Sequence, residues 1–532
     1  MKLKLKRLLT SFFILLTATS FSNGQTESWY VKLALESIKT DDNGVPRILF
    51  AEQIDGTYLV LREQVYRGFK KRRLFIEKLK LDLQMISQKE ITEDIDEQHY
   101  DIEDVLRFNN RVLVISSQYS SASKNWSFYI QDVNFKAVKL SPRIEIFETN
   151  NETGSIRFDV QTSPDQRFIA LSFIPNKRVS LLGKQENDYR FVVVLNEDLK
   201  ISQKAERLDM NKGDLDFLVK QTLINNSGDL YFLCQKILDR KSELLSFYVL
   251  RYKNKSLKAN KFDFEQGGLQ NARIELNNEG NVLLMGYYLE PKRFNPGVGV
   301  VLSEFDKESL AQSNVRFDLI KNEVMMNGLS ERQQKRAQRE IEAGRDLKLN
   351  REIIPLDFVR HDNGDISMIG EIQYLSYESS GVTQGGVLNR IIYNYEHIFV
   401  TRFAANGNIL WSVKIPKMYR GGVDLIESFE VLVFGNDLHL IFNDNSDNFM
   451  PNPKKGTQYL SSRSRYNYMA RYHIDKRGKI ITNEIFDYSE EPYSRINVLS
   501  MFTDVAKTNS QELIFTTSGR MGYYYVLIGK NN

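Results

Sequence analysis

The stretch "NNSGDLYFL" at 225–233 sets a tight turn directly against a short apolar strand. Asn and Gly accept the positive φ of a hairpin turn, and the aliphatic and aromatic residues that follow suit a pleated, half-buried strand. The same succession returns along the whole chain: "IDGTYLVL" (54–61), "FNNRVLVI" (108–115), "SPDQRFIAL" (163–171), "NNEGNVLLM" (277–285), "HDNGDISMI" (361–369), "FGNDLHLIF" (434–442) and "TNSQELIFT" (508–516). With Gly56, Asn110, Gln166, Gly228, Gly280, Gly364, Asn436 and Gln511 as turn residues, the copies stand 54, 56, 62, 52, 84, 72 and 75 residues apart. Each interval holds a further strand with a charged edge, such as "WSFYIQDV", "SFYVLRY" or "GVGVVLSEF". Three or four strands per repeat of this length is the period of a propeller blade. The expectation is an all-β fold, a β-propeller of about eight blades with seven as the alternative, filling 25–532 as one domain.

A ring of blades has to close. "WYVKLAL" (29–35) near the start and "GYYYVLI" (522–528) near the end are both strand-like. Pairing them would complete one blade and remove two open strand edges.

Ahead of the first strand, Lys2, Lys4, Lys6 and Arg7 precede an apolar run over 8–16, with Ser22 and Gly24 at a cleavage position, so 1–24 reads as a secretory signal peptide. No cysteine lies near that junction, which argues against a lipid anchor. No later apolar run approaches the roughly 18 residues of a membrane span. The final strand reaches the chain end without a sorting domain, and the expected location is the periplasm. The formal charge of +4 is 72 basic minus 68 acidic side chains, and the first 24 residues hold four of the basic ones. The remainder is neutral, so bulk charge gives no support to nucleic-acid binding. The basic run "RGFKKRRLFIEKLK" (67–80) reads as a solvated outer strand. The one cysteine, Cys234 in "LYFLCQ", excludes an intramolecular disulfide and reads as a buried thiol.

One segment breaks the repeat. "GLSERQQKRAQREIEAGRD" (328–346) has Ser330 as N-cap, Gln333 three residues later and Gly344 at the stop, which predicts one surface helix and accounts for the 84-residue interval.

Catalytic signatures are absent. None of His99, His361, His397, His439 and His473 falls in a close metal spacing, and no nucleophile elbow or phosphate loop occurs. His439 and His473 lie on strands of the seventh repeat and are expected to approach each other. In "NDNSDN" (443–448), Asn443, Asn445 and Asp447 alternate as in a calcium loop. Asn448 stands at the sixth position, where that loop needs glycine, and Lys454 at the twelfth, where it needs glutamate. The cluster reads as a polar loop, with calcium the one cofactor considered and none expected. Tyrosines gather at Tyr374, Tyr377, Tyr393 and Tyr395, and again at Tyr459, Tyr466 and Tyr468. Tyrosine joins apolar area to a hydrogen-bonding tip, which suits protein interfaces and sugar stacking alike.

Two stretches carry a resemblance. "SPDQRFIALSF" (163–173) resembles the strand-turn of TolB-like propellers, with Gln166 in the glycine position, and "NGNILWSVKIPK" (406–417) resembles the turn of quinoprotein-type blades. Taken whole, the chain is similar to large secreted propeller-like proteins of Bacteroidota, mostly of unassigned function. That resemblance implies packing and not an activity.

The function expected is therefore a non-catalytic exported scaffold that binds a protein at the outer membrane, such as a subunit of a secretion or uptake complex. The surplus chain in the last long intervals supplies the binding residues: Arg332, Arg336, Arg339, Tyr374, Tyr377, Tyr393, Tyr395, Asp444, Asp447, Tyr459, Tyr466 and Tyr468. The alternative is a glycan-binding or glycan-hydrolysing propeller that works with inward carboxylates such as Asp357, Glu371 and Asp444.

Overall fold

All eight turn motifs join the first and second strands of an antiparallel sheet, and there are eight such sheets. The structure, a computed structural model, describes residues 29–34, 44–66, 72–91, 100–120, 122–150, 156–175, 189–209, 217–236, 246–290, 297–347, 349, 351–383, 386–421, 429–449, 455–460, 467–487, 505–507, 511–519 and 522–530. The signal-peptide segment 1–24 and Tyr466 lie outside them.

Blades 1 to 7 cover 44–90, 100–150, 156–209, 217–261, 268–319, 353–421 and 430–487, and each adds its strands outward in chain order. Blade 8 takes three strands from 505–530 and its fourth from the N-terminus. There, Trp29–Leu33 pairs antiparallel with Gly522–Lys530 in the register Trp29↔Lys530, Val31↔Ile528, Leu33↔Val526. The expected closure is present, and Ala34 adds an N–H to the Tyr525 carbonyl at 2.9 Å. Leu35 lies outside the described residues.

Eight apolar clusters fill the eight gaps between successive sheets. One example is Phe128 and Phe147 of blade 2 against Phe173 of blade 3, with ring centroids 4.4 Å apart in both pairs. The cluster between blades 7 and 8 includes Trp29, whose ring lies edge-on to Phe434 at 5.8 Å and under the Arg471 guanidinium at 4.8 Å. Burying such a ring is worth roughly 3–5 kcal/mol against alanine, so the terminal strand is held by packing as well as by its ladder.

Turn chemistry agrees with the sequence. Gly56, Asn110, Gln166, Gly228, Gly280, Gly364 and Gln511 all have positive φ. In the seventh copy that role falls to Gly435 (φ 61°) and not to Asn436, which instead accepts the Asn363 N–H of blade 6 on its side-chain oxygen at 3.2 Å. Strands alternate in direction. Turns between first and second strands, and between third and fourth, therefore share one face of the ring. Connections between second and third strands, and from blade to blade, share the other.

The first of these faces is stapled. In five blades the residue after the turn meets the third strand diagonally: Arg111–Asp132 (2.7 Å), Asp229–Arg251 (3.0 Å), Asn281–Glu304 (2.7 Å), Asp365–Arg402 (2.9 Å) and Asp437–His473 (3.1 Å). Arg251 and Arg402 then reach a backbone carbonyl of the next blade, at Glu308 (2.8 Å) and Asn436 (2.6 Å).

Two expectations need correction. The basic run's described part is Arg72–Lys80, the third strand of blade 1 and not an outer one. Leu74, Ile76 and Leu79 are buried, and buried Glu77 is compensated by Arg62 at 2.8 Å. The insertion between blades 5 and 6 holds two helices, α1 (Asn322–Met326) and α2 (Glu331–Glu342). Sequence reading found only α2, with its Ser330–Gln333 capping box and Gly344 at φ 68°. Met325 of α1 joins the core between blades 5 and 6, while α2 buries Ala337 and leaves most of its length exposed.

Candidate functional site

Three surplus segments share the face opposite the staples: the α1–α2 insertion, the connection between the second and third strands of blade 6, and the same connection in blade 7. In blade 6 those strands, Ile366–Thr383 and Gly386–Phe403, are 18 residues each and continue past the end of the first strand as a ribbon. The ribbon starts at a bulge. His397 has φ 35°, and the register shifts beside it against both neighbouring strands. Beyond it Leu375 opposes Tyr393 and Tyr377 opposes Ile391, so the four project from one face. On that face Leu375, Tyr377 and Ile391 are 53%, 69% and 44% exposed, and no element of the ring packs against them among the described residues.

The base of the ribbon is tied to the other two segments. Leu460 N–H donates to the Met418 carbonyl on blade 6's outer strand (2.8 Å), and Thr457 donates to the Gly328 carbonyl through both N–H and hydroxyl (2.9 Å each). Gly328 has φ 81°, and a Cβ there would lie 2.5 Å from Thr457 Oγ1 and 2.7 Å from Pro416 Cβ. Lys414 Nζ donates to the Met325 carbonyl at 2.9 Å, and burial lowers its pKa to about 8. Between α1, α2 and blades 6 and 7 runs an open groove of about 460 Å³, lined by Val324, Met326, Asn327, Gln334, Val413 and, from blade 7, Ile480 among others.

The structure sorts the sequence candidates. Tyr377 and Tyr393 lie on the open ribbon face, Tyr459 is 47% exposed beside its base, and Arg332, Arg336 and Arg339 are exposed on α2. Tyr374 lies on the ribbon's other face, where its hydroxyl donates to Glu396 (2.7 Å) and Arg351 covers its ring at 4.4 Å. Tyr395 is buried against Tyr419. Tyr468 is half-buried on the third strand of blade 7, opposite Asp444. The predicted polar loop is in part strand: Asp437–Asn445 ends in the short helix α3 (Ser446–Phe449).

Asp444 points inward, because alternate residues of that strand face opposite ways. It accepts from the Tyr472 hydroxyl (2.6 Å) and Asn448 Nδ2 (2.7 Å), and burial pushes its pKa up to about 6. Close by, Lys417 Nζ donates to Glu371 at 2.6 Å, with its ammonium 5.5 Å from the Phe442 ring. Glu371, Lys417, Asp444 and Tyr472 are all buried between blades 6 and 7. Glu371 and Asp444 are therefore interior groups in this structure and not exposed carboxylates. Asp447 pairs with Lys455 (3.0 Å), and the Asn445 side chain spans Asp447 N–H and the Tyr459 carbonyl. Among the described residues no group of three or more His, Cys, Asp or Glu is placed to hold a metal. His439 and His473 do meet, their rings stacked at 4.6 Å, in the core between Trp29 and Asp437.

Of the residues at the axis, the sequence pointed to Asp357 alone. The first strands of adjoining blades lie side by side around it, and five carry a bulge against the second strand, next to Phe50, Asp104, Gln221, Asn271 and Asp357. Burial raises the Asp104 carboxyl, and Asp159 of blade 3 adds to the shift. Half-buried Asp357 offsets the burial that pushes the Arg273 guanidinium down. The Gln221 side-chain amide exchanges two hydrogen bonds with the Ile274 backbone of the next blade, accepting from its N–H at 2.8 Å and donating to its carbonyl at 2.9 Å.

No protein-family model and no curated protein matches the chain. Among solved structures it is similar to the polysaccharide lyase Uly1, with a TM-score of 0.38 and 11% identity over 82% of this chain and 94% of that one. It is also similar to the β-propeller domain of the Trilobed protease from Pyrococcus furiosus, at 0.34 and 9% over 84% and 99%. A protein of unknown function from Dyadobacter fermentans follows at 0.31 and 9% over 72% and 97%. At such identities the activities of those proteins do not transfer to this chain. The class that the eight sheets define is the β-propeller.

Proposed function

We propose that the protein is an exported, non-catalytic propeller scaffold that binds another protein, as a periplasmic subunit or accessory of an outer-membrane assembly. The observation that carries this reading is the blade 6 ribbon. Its exposed face of Leu375, Tyr377 and Ile391 has no packing role in the ring, and large apolar groups clustered on a protrusion mark an interaction surface. The signal-peptide-like start and the lack of catalytic signatures agree with it. A photo-crosslinking phenylalanine derivative placed at Tyr377 in the native envelope should give one discrete adduct, and the same group at Glu279, a turn on the stapled face, should give none. Equal labelling at both positions, or none at Tyr377, would remove the proposal.

A second reading, glycan binding or hydrolysis, rests on Asp104 and Asp159. They stand on neighbouring first strands at the axis, with Asp104 held toward its protonated form by burial, as a general acid requires. A glycan array and hydrolysis screen showing no binding or turnover sinks it.

A further inference from the structure

Helix α2 divides its side chains cleanly by charge. At 3.6 residues per turn, Arg332, Lys335, Arg336 and Arg339 fall within an arc of about 100°, while Ala337, the helix's buried residue, and half-buried Ile341 fall on the other side. The four cations are exposed and project away from the ring. Among the described residues none of them makes an ion pair, and the Glu340 carboxylate that could serve them is held by Arg345 at 2.5 Å. Four adjacent like charges cost repulsion in the free protein, and the fold does nothing with them. We propose that this stripe receives an acidic polypeptide segment of the partner, an inference that rests on the protein-binding reading above.

The surroundings choose among anionic occupants. Glu331 and Glu342 flank the stripe on one side and Glu340 on the other, so the positive strip is one helix face wide, with carboxylates along both margins. A flat anionic bilayer would meet those carboxylates, and no apolar side chain on this face could enter it. A single acidic chain fits between the margins. From Arg332 to Arg339 the stripe runs about 10 Å along the axis, so glutamates spaced i, i+4, i+7 on a partner helix would meet three guanidinium groups, each able to grip a carboxylate with two parallel hydrogen bonds. The helix start adjoins the ribbon base through the Gly328–Thr457 contact, so one partner can cover the apolar face and the stripe together.

The test uses the full chain and a synthetic helical peptide bearing glutamates at i, i+4 and i+7. Binding is expected to weaken about tenfold or more as salt rises from about 0.05 to 0.5 M. It should be lost in the triple variant Arg332→Glu, Arg336→Glu, Arg339→Glu, and retained in part when the same arginines become lysine. The melting curve should stay unchanged in both, since the three side chains are exposed. Equal peptide binding by the charge-reversed variant overturns the inference. So does stripe-dependent binding to phosphatidylglycerol vesicles without binding to the peptide. The Tyr377 crosslink separates the two proposals: its absence from both proteins removes the protein-binding reading, whereas an undiminished adduct in the charge-reversed variant removes the stripe alone.

Discussion

Blades 4 and 6 share a plan down to the same ion pair, Asp229–Arg251 in one and Asp365–Arg402 in the other, yet they end differently. In blade 4 the chain from the start of the second strand to the end of the third occupies only 230–253. In blade 6 those two strands are 18 residues each, and they pass the bulge at His397 into a ribbon that the ring does not use. What differs is confined to one face. On the stapled face the same diagonal contact recurs in five blades, and in blades 4 and 6 its arginine goes on to the next blade. The opposite face is free to vary, and there the chain adds length, tyrosine and charge.

Several changes would break or sharpen this contrast. The largest effect should come from the ring itself: deleting 25–34 removes the outer strand of blade 8 and Trp29 from the cluster shared with blade 7, and the melting temperature should fall sharply. An unchanged melting curve would place closure elsewhere. Next, Lys417→Met strands Glu371 without its cation in the interior, which should cost about 3–5 kcal/mol in denaturant titrations. Adding Glu371→Gln should return much of that loss, and a double mutant as unstable as the single would mean that the pair is not coupled. Smaller still, Arg251→Ala and Arg402→Ala each break a staple and should cost about 1.5–3 kcal/mol by similar amounts. A clear inequality would show that blade 6 depends on its staple differently.

The finest effect is in pH. The folded Asp444 carboxyl, raised to about 6, prefers its proton more than the unfolded chain does. Its contribution is fully present below the ordinary carboxylate range and is lost as pH rises through about 6. Acidifying from about pH 7 to 5 should therefore favour the parent over Asp444→Asn by on the order of 1 kcal/mol. A constant difference between the two proteins across that range would contradict the assignment.

The blades were legible because a turn is a local event: Gly228 or Gly364 announces its positive φ within a few residues, and the strand after it follows by alternation. Closure was legible for the related reason that two strand-like termini remained without partners. The interior of blades 6 and 7 was not. Glu371 and Lys417 are 46 positions apart, and nothing near either residue in sequence says that they meet, so Glu371 and Asp444 looked like available carboxylates. Helix α1 was missed because it is short and its one buried residue, Met325, belongs to the core cluster of blades 5 and 6. Apart from Asp357, the axial residues escaped because a bulge shows only against the strand it pairs with.

The central claim is that the ribbon serves binding and not the ring. Its most direct test replaces 377–391 with a two-residue Asn-Gly turn between the paired Ser376 and Ile392, and follows both unfolding and capture of the envelope partner defined by the Tyr377 crosslink. The melting temperature should stay within a few degrees of the parent, since the shortened strands still satisfy blade 6, while capture should be lost. A trimmed protein that unfolds early, or one that captures the partner as before, would contradict the account.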